Sequence, residues 1–258
     1  MDVSYKVLTG SMQPLPIALS AGLSALPAGL PKRERTRAQL VDAALKVFSV
    51  RGVAAGTIQE IADVAGMTTA TVYNHFKTKE EVQREVALRL ANTLCTRIAE
   101  SQAGVKEGAE RMAIGGRRYV WLAEVAPQWA LLMLDVAAAT PDLLLHIRQF
   151  TLADLRLGVK QKAFRIANEQ VAIDLINGAG TNAMRSVALG LAPASHGADM
   201  AACVLRGLGV AHEKAEEIAR RPLPDFPDAP AIGAAAAPER ARATAAKARK
   251  TTRAARAS

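Results

Sequence analysis

At 258 residues the chain is long enough for one large or two modest domains around a buried core. Half of it is hydrophobic while aromatics make up only 4%, with alanine and leucine prominent, which favours an all-α fold. Two cysteines, Cys95 and Cys203, exclude a disulfide framework, no apolar run approaches the ~18–20 residues of a bilayer-spanning helix, and a net charge of +9 points to a polyanionic partner.

The charge is concentrated at two places. Lys32, Arg33, Arg35 and Arg37 stand against Glu34, and Arg240, Arg242, Lys247, Arg249, Lys250, Arg253 and Arg256 stand against Glu239. Residues 1–31 carry only Asp2 and Lys6, are broken by Pro14, Pro16 and Pro27, and show no clean helical period. They are expected to be a disordered leader; a start at Met12 or a signal peptide are the alternatives. A first helix is predicted from about Lys32 to Arg51, with Leu40, Val41, Ala44, Leu45 and Phe48 as its apolar stripe and Gly52 as its stop. Lys32–Arg37 is expected to lead into it as a cationic arm.

The stretch from Thr57 to Lys79 has the grammar of two short helices and a tight turn. Thr57 and Glu60 have capping-box spacing, Ile61, Ala62 and Ala65 give an apolar face, and Gly66 ends the helix. Met67 pins the turn. Thr68 caps a second helix whose inward positions are Val72 and Phe76, leaving Thr69, Thr71, Tyr73, Asn74 and His75 outward or at the rim. Thr78 and Glu81 repeat the cap for a third helix. Hydroxyls, an amide, an imidazole and a phenol suit base edges and phosphates, where an ordinary surface helix would carry Glu and Lys. This is a helix-turn-helix pattern, in which the second helix enters the major groove.

On these residues, 33–84 resemble the DNA-binding domain of the TetR (tetracycline-repressor-like) family of bacterial transcription regulators. The match runs through Arg37–Phe48 and Gly52, Thr57, Ile61, Ala62 and Ala65-Gly66, then Thr71-Val72-Tyr73-Asn74-His75-Phe76 and Lys77-x-Lys79. Val53 and Asn74 depart from it, each standing where the family usually has an aromatic. The resemblance implies a dimer whose recognition helices sit ~34–36 Å apart, or a multiple of this, on a palindromic operator. DNA contacts are expected from Arg35, Arg37, Thr57, Gln59, Thr68, Thr69, Thr71, Tyr73, Asn74, His75 and Lys79.

From Thr78 a long helix continues through Val82, Val86, Leu90, Leu94 and Ile98, which the resemblance makes the mechanical link between head and body. Further helices are predicted over 105–165, with Pro127 at one start and Thr140-Pro141-Asp142 capping another. By resemblance this is the effector region. Met112, Trp121, Trp129, Met133, His146 and Phe150 are the candidate contacts to a small apolar effector, although tryptophan and methionine at helical spacing more often mark plain core. Residues 169–190 and 195–211, rich in Ala and Gly, resemble the family's dimerisation face and imply a homodimer.

Pro222, Pro224, Pro227 and Pro230 are expected to end the folded part. The Ala/Lys/Arg-rich remainder reads as a disordered tail that either adds sequence-independent affinity for DNA or only keeps the protein soluble. The expected domains are thus a leader over 1–31, a three-helix helix-turn-helix head over 32–80, a helical effector-binding and dimerisation domain over 81–224, and a tail over 225–258. His75, His146, His196 and His212 are scattered and no phosphate loop, nucleophile elbow or metal pair stands out. The expectation is a cytoplasmic, nucleoid-associated bacterial repressor, neither an enzyme nor a membrane protein, with no cofactor and no metal. Its alternative is a DNA-compacting protein that acts through its tail.

Overall fold

A computed structural model describes residues 13–24, 29–193 and 195–227, with the backbone alone at 21, 24 and 141–146. Among the described residues the fold is all-α, with eleven helices: α1 (Ile17–Ser24), α2 (Lys32–Arg51), α3 (Ile58–Ala65), α4 (Thr69–His75), α5 (Lys79–Ser101), α6 (Gly108–Val125), α7 (Pro127–Ala139), α8 (Pro141–Lys160), α9 (Glu169–Ala188), α10 (His196–Gly207) and α11 (His212–Arg220). None is long and apolar enough to cross a membrane by itself.

The head forms where local signals are densest. Leu40, Val41, Ala44, Leu45 and Phe48 on α2 are buried together with Ile61, Ala62, Val72 and Phe76. Gly52 ends α2 at φ 78°, and Gly66 ends α3 in the left-handed region at φ 65°, where a side chain would be strained. α5 then carries the chain out of the head. Its Val82 and Val86 are buried near the head end, and Leu90 and Leu94 deeper in the body.

In the body, α6 packs against α8, α9 and α10, with α7 bracing α5. α6 and α8 approach so closely that a Cβ at Gly108 would lie 2.5 Å from the Gly158 amide nitrogen. A Cβ at Gly158 would in turn meet the Phe164 ring at 2.2 Å. Glycine at both positions makes this crossing sterically possible.

Two expected boundaries need correction. Part of the expected leader is helix: α1 places Leu19 and Leu23, one turn apart, in the buried core beside α5. Pro14 and Pro16 precede this helix and do not interrupt it, since proline is tolerated where helical amides have no partner. The C-terminal boundary also moves, because Phe226 stacks 5.2 Å from Trp121 with Arg118 over its ring at 4.2 Å. Buried Arg97 links both segments to α5, donating from Nε to the Ala18 carbonyl at 3.1 Å and from Nη2 to the Pro227 carbonyl. The expected tail from 228 onward, with its basic run, lies outside the described residues.

Candidate DNA interface and ligand cavity

The turn chemistry of the head is what the spacing predicts. Thr57 accepts from the Glu60 amide while Glu60 Oε2 accepts from the Thr57 amide at 2.9 Å. The Thr57 amide and hydroxyl, together with Arg51, hold the Glu60 carboxyl below the usual carboxylate range. Thr68 accepts from the Thr71 amide, and Thr78 from the Glu81 amide at 3.3 Å.

These bonds divide the expected DNA contacts. Tyr73 is 49% exposed, Asn74, Gln59 and Thr68 are exposed, and Thr69, Thr71 and His75 are half-buried at the rim of α4. Gln59 Nε2 donates to Asp63 at 2.8 Å, which orients the amide along α3. Thr68 and Thr71 share a hydroxyl hydrogen bond of 3.0 Å, so one proton of the two is left for an outside acceptor. Thr57 is corrected to a cap, because its single hydroxyl proton goes to Glu60 Oε2 at 3.0 Å. Lys79 donates to the Ala54 carbonyl at 2.7 Å, leaving further ammonium protons for a phosphate.

Arg37 needs the largest correction. The arm over 32–37 is the opening of α2, which starts at Lys32, and the Arg37 guanidinium turns inward. Its Nη1 donates to the His75 carbonyl at 2.8 Å, its Nη2 to Glu85 at 2.6 Å, and it lies 4.2 Å over the Phe76 ring. Arg37 thus clasps the end of the recognition helix to α5, and a phosphate would have to compete for that planar fork. Arg35 is exposed on α2. Partial burial, then the charges of Arg33 and Arg37, push the His75 imidazole below its usual range. It therefore meets a partner at neutral pH as a neutral imidazole.

A cavity of about 180 Å³ lies in the body, lined by residues of α5, α6, α8 and α9. Ile98, Met112, Ile147, Phe150 and Ile176 give it apolar walls, and Gln102, Arg111, Tyr119, Asp154, Asn177 and Thr181 bring polar groups. Arg111 Nε donates to Asp154 at 2.6 Å, Gln102 Nε2 donates to the other carboxylate oxygen at 2.9 Å, and Arg111 Nη1 donates to the Gln102 carbonyl at 3.0 Å. Burial pushes the Cys95 thiol up to about 12, and burial raises the Tyr119 phenol further above its ordinary value. Both are neutral at physiological pH.

Of the candidate effector contacts, Met112 and Phe150 line this cavity, whereas Trp129, Met133 and Trp121 do not. Trp129 and Met133 are fully buried core on α7, and the Trp129 indole N–H donates to the Gln13 carbonyl at 3.0 Å. Trp121 faces Phe226 and Arg118. The His146 side chain lies outside the described residues. Reading apolar bulk missed the polar members; the available signal was a charged or amide side chain at a core register, as with Asp154 between Leu152 and Leu155.

A helix-turn-helix head joined by one long helix to an all-helical body with an internal cavity defines a class of two-part DNA-binding regulators. Residues 40–86 match the family described as bacterial regulatory proteins, tetR family, and residues 107–221 match the tetracyclin repressor-like C-terminal domain. The chain belongs to the TetR family. HTH-type transcriptional regulator TtgR of Pseudomonas putida is 45% identical over 49 residues, which are 19% of this chain and 23% of that protein. The chain therefore matches about a quarter of that relative's length. HTH-type transcriptional regulator AlkX of Mycobacterium tuberculosis is 30% identical over 130 residues, 50% of this chain and 61% of that protein. Among solved structures, RolR in complex with its ligand resorcinol is similar at a TM-score of 0.68 and 28% identity, covering 76% of this chain and 98% of that one.

Proposed function

We propose that this protein is a homodimeric, sequence-specific transcription regulator, a repressor whose hold on a palindromic operator weakens when a small molecule enters the cavity. One observation carries the reading: α5 begins at the end of the recognition helix and its last turns, Cys95, Ile98 and Ala99, wall the cavity. A ligand that prefers one setting of α5 changes the spacing of the two heads, and operator affinity falls by population shift. Exposed Val171 and Leu175 on α9 offer apolar surface for a partner's equivalent helix. RolR binds resorcinol, which supports a small hydroxylated ring with an apolar body as the effector here. DNA association and cytoplasmic residence, close to the nucleoid, follow from the same reading.

Asn74 is exposed near the end of α4, and its amide is of the kind that pairs with adenine through two hydrogen bonds. Asn74→Ala is expected to weaken the preferred operator by about 1–3 kcal/mol and to relax preference at one position per half-site. Equal weakening on every sequence, measured by competition binding, would assign Asn74 to the phosphate backbone.

Selection from a random duplex library at physiological salt tests the whole reading. An inverted repeat is the expected product. Retention of duplexes with no common sequence would favour a DNA-compacting role for the basic tail.

A further inference from the structure

We propose that Gln102 reads the effector: its Oε1 accepts a hydrogen bond from a hydroxyl of a neutral, single-ring ligand. The inference rests on the reading of the cavity as the effector site and adds to it the ligand's chemistry and the residue that senses it.

Size sets the first limit. An apolar cavity of about 150 Å³ accommodates benzene, so about 180 Å³ admits one ring with small substituents. Charge sets the second. Arg111 and Asp154 cancel across 2.6 Å, and neither Cys95 nor Tyr119 is ionised, so among the described residues no unbalanced counterion awaits a charged ligand.

Polarity supplies the third. A carboxylate has only acceptors, so the Gln102 atom facing Asp154 must be the amide nitrogen, and the oxygen of that side chain is turned away from it. Gln102 is 2% exposed, and its Oε1 has no hydrogen-bond partner among the described residues. A buried acceptor left without a partner destabilises the protein, and a ligand that donates to it relieves that cost on binding. Carboxylates and ethers cannot donate there, whereas a hydroxyl can.

Position connects this atom to the head. Gln102 is the C-terminal cap of α5, and its carbonyl is held by Arg111 of α6. A ligand seated on Oε1 therefore contacts the end of the helix whose other end adjoins the recognition helix.

Calorimetric titration of the full chain with benzene-1,3-diol, 3-methoxyphenol and 1,3-dimethoxybenzene tests this. The diol should bind about tenfold more tightly than the dimethyl ether. Gln102→Met should remove that preference while leaving ether binding and the melting temperature near those of the native chain. Ile176→Trp, which fills the cavity, should abolish binding of all three. Equal affinity for diol and ether, unchanged in Gln102→Met but lost in Ile176→Trp, would overturn the role of Gln102 and leave the cavity as the effector site. Binding that persists in Ile176→Trp, or no binding of any of the three compounds to the native chain, would overturn both.

Discussion

Trp129→Ala is expected to lower the unfolding free energy by about 3–5 kcal/mol, the range for emptying a large aromatic from a core. Trp129 is fully buried and has neighbours on its own helix, Ala130 and Met133, that are equally sealed from solvent. Its indole N–H also holds the Gln13 carbonyl at 3.0 Å, so truncation removes the tie between α7 and the segment before α1. Solvent denaturation followed by circular dichroism measures the loss. Ligand affinity, extrapolated to the folded fraction, should change little because Trp129 does not line the cavity. A variant that kept its stability while losing ligand affinity would return Trp129 to the effector site.

The contrast between head and body explains what the sequence revealed. In the head, every decisive signal acts within four residues: Thr57 with Glu60, Gly66 at the turn, Thr68 with Thr71, Thr78 with Glu81. Such caps are legible because the partner lies one turn away. The inward clasp of Arg37 is illegible in the sequence for the opposite reason. Its partners, His75 and Glu85, lie 38 and 48 residues along the chain, and no local pattern announces them. A lysine- and arginine-rich opening to a DNA-binding domain looks like an arm until the guanidinium is seen to turn inward.

The cavity was only half legible. Periodicity reports that a side chain faces inward and cannot say whether it meets another side chain or a space, so Met112 and Met133 look alike in sequence. They separate only when α6 is packed against α8 and α9 and α7 is packed against α5. Likewise, among its described side chains α1 buries Leu19 and Leu23, too few residues for a period to show, and the prolines that open it look like breaks. Phe226 among prolines gave no sign that Trp121 and Arg118 would hold it.

Asp154 is where stability and response meet, and its removal is expected to cost about 3 kcal/mol, the lower part of the range for breaking a buried ion pair. The lower part applies because the Arg111 side chain keeps 20% exposure and water can reach it, while Asp154 keeps 11%. Asp154→Ala leaves the Arg111 guanidinium without its carboxylate and the Gln102 amide without its acceptor, although Arg111 still donates to the Gln102 carbonyl. The double variant Asp154→Leu with Arg111→Met should recover most of the lost stability, since a pair exchanged for apolar groups of similar volume leaves no charge unmatched. A double-mutant cycle by urea denaturation measures the coupling, and additive losses would show that the two side chains act independently. The recovered double variant should bind operator DNA as the native chain does, since neither residue lies in the head. On the proposed reading of the cavity, its release by benzene-1,3-diol should weaken, because Asp154 on α8 and Arg111 on α6 fix the end of α5 that a ligand on Gln102 would contact. Full release from that variant would mean that the cavity reaches α5 through its apolar wall, Ile98 and Ala99, and not through the ion pair.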